Sequence, residues 1–146
     1  LKALIQRILR SEVLIGERKI SSTGPGILVL LGVGKEDTER DAAYLARKIA
    51  ALRIFEDNEG KMNIPIVKSK GEVMVVSQFT LMADTTGGNR PGFSDAAAPD
   101  YAERLYGFFN EQLESMKIPV KKGEFGADMK VVLVNDGPVT ILLESK

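Results

Sequence analysis

The chain has 146 residues, 44% of them hydrophobic and 27% charged, ordinary values for one globular domain that buries about 70% of its unfolded surface. Its 20 Lys+Arg balance its 20 Asp+Glu, so no overall basic field draws it to nucleic acid, although a local patch is still allowed. It contains neither Cys nor His, which excludes disulfides, thiolate nucleophiles, Cys-bound zinc, the usual general base near neutral pH, and any Ser-His-Asp or Cys-His mechanism. Catalysis must then come from Ser/Thr, Lys, carboxylates, backbone dipoles or a group on the substrate. No apolar run approaches the roughly 20 residues needed to cross a bilayer, and there is no signal-peptide core. A soluble, cytoplasmic protein with no membrane partner is expected.

In chain order, Lys2–Leu9 reads as a first strand interrupted by Gln6-Arg7. Glu12–Ile15 and Arg18–Ser21 flank Gly16-Glu17, a pair suited to a two-residue hairpin. Gly24-Pro25-Gly26 marks a turn before the buried strand Ile27–Leu31. A helix is expected from about Thr38 to Ala51 with Asp37 as its N-cap, its small alanines packing closely on a sheet. Arg53–Phe55 is a short strand, Asp57–Gly60 a turn, and 61–70 an edge strand or loop. The strand 72–79 is the centre of the chain: Val73–Val76 is an unbroken β-branched and apolar run, fitting a strand buried on both faces.

Residues 82–98 form a long irregular segment, a length often associated with function, with Arg90-Pro91-Gly92-Phe93-Ser94 mixed in the manner of a binding loop. Pro99 opens a second helix running to Lys117, its stripe Ala102, Leu105, Tyr106, Phe109, Leu113 and Met116 accounted for by core packing. Met129–Asn135 is a strand, Asp136-Gly137-Pro138 a turn and Val139–Glu144 the last strand. The expected fold is α+β: a single domain over residues 1–146, with one mixed, barrel-like sheet and two main helices.

Ser77, Gln78 and Thr80 arrive together at the end of the central strand. Alternation along a strand points Gln78 and Thr80 one way, Ser77 and Phe79 the other. They are either satisfied polar groups at the core edge or the floor of a site, and residue type alone leaves both readings open.

Two stretches, Ser77-Gln78-Phe79-Thr80-Leu81 and Asn135-Asp136-Gly137-Pro138-Val139-Thr140, resemble the signature motifs of the D-aminoacyl-tRNA deacylases of the bacterial and eukaryotic type. The resemblance extends along the chain through Ala3–Arg7, Leu30–Val33, Arg53–Phe55, Gly60–Asn63, Arg90-Pro91 with Phe93-Ser94, and Ala127–Met129. Gly92 departs from the Ser expected there, which touches only a loop hydrogen bond; Leu1, where Met is expected, touches no motif. The resemblance implies hydrolysis of the ester between a D-amino acid, or glycine, and the 3′-terminal adenosine of tRNA, without cofactor or metal. It also implies a homodimer in which Ser77, Gln78, Phe79 and Thr80 form the catalytic floor. A cis Gly137-Pro138 pair from the other subunit excludes L-amino acids.

Two mechanisms stay open. Thr80 is the nucleophile, with no base in its motif, or the ribose 2′-hydroxyl helps activate water while Thr80, Gln78 and amides near Phe79 orient the ester; the absence of His favours the second. Candidates for tRNA contact are Arg7, Phe125, Met129 and Lys130, together with Arg10, Lys121, Lys122 and Arg90; Phe79, Phe125 and Met129 read equally as core. The rival readings are a non-catalytic oligomeric module that binds nucleotides or RNA ends, and a Thr-dependent hydrolase of small free esters.

Overall fold

A computed structural model describes all 146 residues. The chain opens with β1 (Lys2–Ile15), which turns at Gly16 into β2 (Arg18–Thr23). β3 (Gly26–Gly32) then lies antiparallel to the first half of β1, Lys2 opposite Gly32 and Ile8 opposite Gly26. After α1 (Glu39–Ala51), the short strands β4 (Phe55–Glu56) and β5 (Met62–Ile64) pair with one another, and α2 (Ile66–Ser69) is a single helical turn. β6 (Glu72–Ser77) lies parallel to β3, and a 3-10 turn over Phe79–Met82 follows it. α3 (Pro99–Ser115), β7 (Val120–Lys122) and β8 (Lys130–Glu144) complete the chain. β7 joins β6 in parallel and β8 runs antiparallel along the free edge of β1. The result is an α+β fold, one mixed sheet curled nearly into a barrel, with three helices.

Two apolar clusters hold it together. Alternate residues of the strands, Ala3, Ile5, Val29, Leu31, Val73 and Val75 among them, pack under α1 and α3 against Leu45, Ile49, Leu105, Phe109 and Leu113. The opposite faces of the same strands bring Ile8, Val13, Leu28, Met74 and Val76 together inside the curl. β3 and β6 are thus buried on both faces, the reason their sequences lack alternation. Each large side chain fully buried here contributes about 1.5–3 kcal/mol. Close approach of β3 to β6 requires glycine at 26: a Cβ there would stand 1.8 Å from the Glu72 carbonyl oxygen.

Several elements differ from the sequence expectation. β1 does not stop at Leu9 but runs through Arg10 and Ser11 to Ile15. Register shifts against β8 between Gln6 and Ile8, and between Ile8 and Arg10, turn the strand over so that Ser11 and Val13 face inward. Likewise Asp136-Gly137-Pro138 is not a turn between two strands. β8 continues through it, and because Asn135 pairs with Ile8 and Thr140 with Gln6, the residues between bulge out opposite Arg7.

The N-cap of α1 is Thr38, whose N–H donates to the Asp41 carboxylate at 2.8 Å. Asp37 is committed elsewhere, taking the Gly34 N–H and the chain's amino terminus, each at 2.6 Å. Residues 66–69 are helical, and the strand expected at 53–55 is displaced to Phe55–Glu56. No helix is long and apolar enough to cross a membrane.

Candidate active site

β6 ends at Ser77, not at residue 79. The Gln78 N–H still donates to the Leu31 carbonyl at 2.8 Å, but the chain then coils into the 3-10 turn Phe79–Met82. Gly32 permits this, since a Cβ there would lie 2.9 Å from Leu81 Cβ. Gln78 and Thr80 do share a side, for a different reason than strand alternation: the turn carries Thr80 back until the Gln78 side-chain amide donates to Thr80 Oγ1. The amides of Phe79 and Thr80 lie at the amino end of the turn, where N–H groups have no acceptor within the helix itself. Phe79 is 57% exposed, and its ring meets Phe93 edge-on with centroids 4.9 Å apart.

Beside this strand end is a cavity of about 450 Å³. Val76, Ser77, Gln78 and Phe79 form one wall, the start of α3 contributes Pro99 and Ala102, and the segment Phe125–Met129 forms the other wall. The second wall is tied to the first through α3. Tyr106 donates its hydroxyl to the Val75 carbonyl at 2.8 Å, two residues before Ser77, and its ring packs on Phe125 at 5.9 Å. Burial pushes the Tyr106 hydroxyl up to about 12, so it stays protonated and a donor. Gly123 adds its N–H to the same carbonyl at 3.1 Å. A cavity mostly apolar with a few polar groups at one end suits a small ligand.

The second motif lies on β8. Gly137–Pro138 is a cis peptide, exposed, with Gly137 at φ +123. A Cβ at Gly137 would stand 3.0 Å from the Val139 nitrogen, so the bulge accepts only glycine without strain. Asn135 ties the bulge together, accepting the Val139 N–H at 3.3 Å and donating to Thr140 Oγ1 at 2.9 Å, where Gln6 also donates. From behind, Arg7 donates to the Ile54 carbonyl at 2.7 Å and stands 3.2 Å from the Asp136 carboxylate. Neither Gly137 nor Pro138 lines the cavity of its own chain.

Residues 4–144 match the family model for D-Tyr-tRNA(Tyr) deacylase. The chain belongs to the D-Tyr-tRNA(Tyr) deacylase family. It is 54% identical over 141 residues to a D-aminoacyl-tRNA deacylase of Idiomarina loihiensis, covering 97% of each chain. It is 51% identical over 147 residues to that of Thermosipho melanesiensis, covering 100% of this chain and 98% of the relative. Among solved structures it superimposes on the c-Myc DNA unwinding element binding protein with a TM-score of 0.94 at 43% identity, covering 100% of this chain and 99% of the other. A structure described as a probable eukaryotic D-amino acid tRNA deacylase shares the fold at TM-score 0.79 and 16% identity, with 98% of both chains covered.

Within this deacylase-family chain, the structure gathers Ser77, Gln78, Phe79, Phe125 and Met129 around one cavity and leaves Thr80 exposed at its edge, hydrogen-bonded to Gln78. Lys130 follows on β8, exposed. Arg7 is 6% exposed; its Nη1 donates to the Ile54 carbonyl and its Nε stands 3.2 Å from the Asp136 carboxylate without a hydrogen bond. Arg7, expected as a tRNA contact, thus lies behind the Gly137 bulge, beside Asp136. Sequence reading did not place Asp128 in the site, yet its residue lines the cavity, as do Pro99 and Ala102. Only the tertiary packing of α3 and the 123–129 segment against β6 brings them there, so no local pattern marks them.

Proposed function

We propose that the chain hydrolyses the ester joining a D-amino acid to the 3′-terminal adenosine of tRNA, releasing both, and that glycine carried on tRNA is also a substrate. One observation carries the reading: in a member of this family, a cavity of about 450 Å³ opens beside Gln78, Phe79 and the amino end of the 3-10 turn. The ester carbonyl rests against the Phe79 and Thr80 amides, which take up charge as the tetrahedral oxyanion forms. Water adds to the carbonyl carbon, and its proton passes by way of the ribose 2′-hydroxyl to the departing 3′-oxygen. The C–O ester bond then breaks to give carboxylate and tRNA. Thr80, which accepts a hydrogen bond from the Gln78 amide and has no His near it to remove its proton, orients the ester and does not attack it. Phe125 and Met129 flank the adenine and Lys130 meets phosphate.

The active unit is a homodimer in which Gly137–Pro138 of one subunit closes the cavity of the other and leaves no room for an L side chain. Supporting this, the pair is exposed, has Arg7 behind it 3.2 Å from Asp136, and does not line its own chain's cavity. β8, 15 residues long, is also paired along one edge only, with Val134 and Leu142 exposed on it. The site of action is the cytoplasm, where charged tRNA is used.

The mechanism is tested with Thr80→Ala and with D-Tyr-tRNA ending in 2′-deoxyadenosine. Substantial turnover by the variant and loss of turnover on the deoxy ester support the 2′-hydroxyl route. An inactive, properly folded Thr80→Ala together with unimpaired cleavage of the deoxy ester would return the nucleophile's role to Thr80. A second reading draws on the name of the 43%-identical structure, a DNA unwinding element binding protein. On that reading the fold binds nucleic acid without turnover of any ester, and binding in the absence of hydrolysis would select it.

A further inference from the structure

We propose that a second, lysine-lined cleft at the far end of β6 and β7 holds backbone phosphates of the tRNA while its 3′ end occupies the cavity; this rests on the deacylase reading of the cavity. The cleft, about 210 Å³, lies between the end of α2 and the end of α3 and is lined by Val67, Lys70, Gly71, Lys117, Ile118 and Pro119. Lys70 has φ +60 and Lys117 φ +68, and they are the chain's only non-glycine residues with positive φ.

Both stand where a helix ends in a left-handed residue, with the following N–H reaching back to a carbonyl of the last turn: Gly71 to Ile66, and Ile118 to Leu113. Glycine is the usual occupant of such a position because it carries no Cβ. Having lysine at both, on two helices far apart in sequence that meet at one cleft, is a departure from the backbone's preference that points to a role for the charge. Attraction of a cation to helix carbonyls explains little at α2, which is a single turn.

The cleft also lies in line with the cavity. Gly71 opens β6 and Ser77 ends it, a span of about 20 Å at roughly 3.3 Å per residue, and β7 runs parallel to it from Pro119 toward Gly123. Along that path Lys121 and Lys122 are exposed, and Lys130 stands just past the cavity wall. None of these lysines is in an ion pair, although the chain forms ion pairs elsewhere. A chain with no net charge therefore keeps lysines without an ion-pair partner at the cleft and, on the two faces of β7, between the cleft and the cavity. A polyanion whose 3′ end is fixed in the cavity would lay its phosphates, several nucleotides back, over Lys70 and Lys117.

The test compares wild type with Lys70→Gly/Lys117→Gly, which removes both charges and relaxes both backbone positions, so folding is not put at risk. Binding of unacylated tRNA is followed by fluorescence anisotropy from about 50 to 200 mM salt, and hydrolysis of D-Tyr-tRNA is measured alongside. Each phosphate contact contributes about 0.7 to 0.9 to the slope of log K against log salt. The double variant is expected to lose about 1.4 to 1.8 of that slope while unfolding no lower than wild type, and Lys70→Arg/Lys117→Arg is expected to keep it. An unchanged slope in the glycine variant overturns the cleft, whatever the turnover. A reduced slope in a protein that cleaves no ester upholds the cleft as a tRNA contact and overturns the deacylase reading instead.

Discussion

Replacing Arg7 separates a bracing role from a phosphate contact. Its Nη1 donates to the Ile54 carbonyl at 2.7 Å in a buried setting, a charge-assisted bond worth about 1.5–3 kcal/mol. Asp136, 3.2 Å from Nε, is 41% exposed and not aligned to accept a hydrogen bond from it, so that pairing adds at most about 1 kcal/mol. The stem methylenes lost in Arg7→Ala count about 0.8 kcal/mol each, offset in part because the guanidinium no longer has to be desolvated. The net cost is about 3 kcal/mol, which for a chain of this size lowers Tm by roughly 10 °C. Because the bulge at Asp136–Val139 loses its support, cleavage of D-Tyr-tRNA should fall in the same variant even at temperatures where it stays folded. Thermal unfolding by circular dichroism and tRNA binding across a salt series decide the matter. A variant that melts within a degree or two of wild type, cleaves normally and loses about one phosphate's worth of salt slope would refute the bracing role.

Two other perturbations follow from the same geometry. Gly137→Ala places a Cβ 3.0 Å from the Val139 nitrogen at φ +123, a strain of about 1–3 kcal/mol; chemical denaturation should show that loss, and D-ester cleavage should fall at least roughly tenfold, the equivalent of about 1.4 kcal/mol. Tyr106 ionises at about 12 in the folded chain against 10.0 when free. The unfolded state therefore releases its proton first, and stability falls as pH rises from 10 toward 12, by about 3 kcal/mol in all. In Tyr106→Phe that alkaline decline should be absent from urea unfolding curves, and an equal decline in both proteins would show that the hydroxyl is not the group responsible.

Much of the framework was legible in residue patterning, and the places where it was not share a cause. β3, α1 and α3 carry their own signals: an apolar run, a helical apolar stripe, Pro at a helix start. β1 and β8 do not, because Leu9-Arg10 and Asp136–Val139 look like breaks until one strand is laid against the other across more than a hundred residues. Register against a distant partner decides whether such residues turn or bulge. At the candidate site, the absence of His and Cys narrows the chemistry, and the residues Ser77, Gln78 and Phe79 of the first motif line the cavity. The side shared by Gln78 and Thr80 was anticipated through strand alternation, whereas a 3-10 turn produces it. Asp128 and the brace formed by Arg7 depend on packing that no local pattern encodes.

The most direct measurement is release of tyrosine from D-Tyr-tRNA and L-Tyr-tRNA by the unmodified chain under identical conditions. We expect the D-ester to be cleaved at least roughly a hundredfold faster, a difference of about 2.7 kcal/mol in transition-state stabilisation. Equal rates on the two esters would remove the Gly137–Pro138 filter, and no cleavage of either would contradict the assignment of the cavity as a deacylase site.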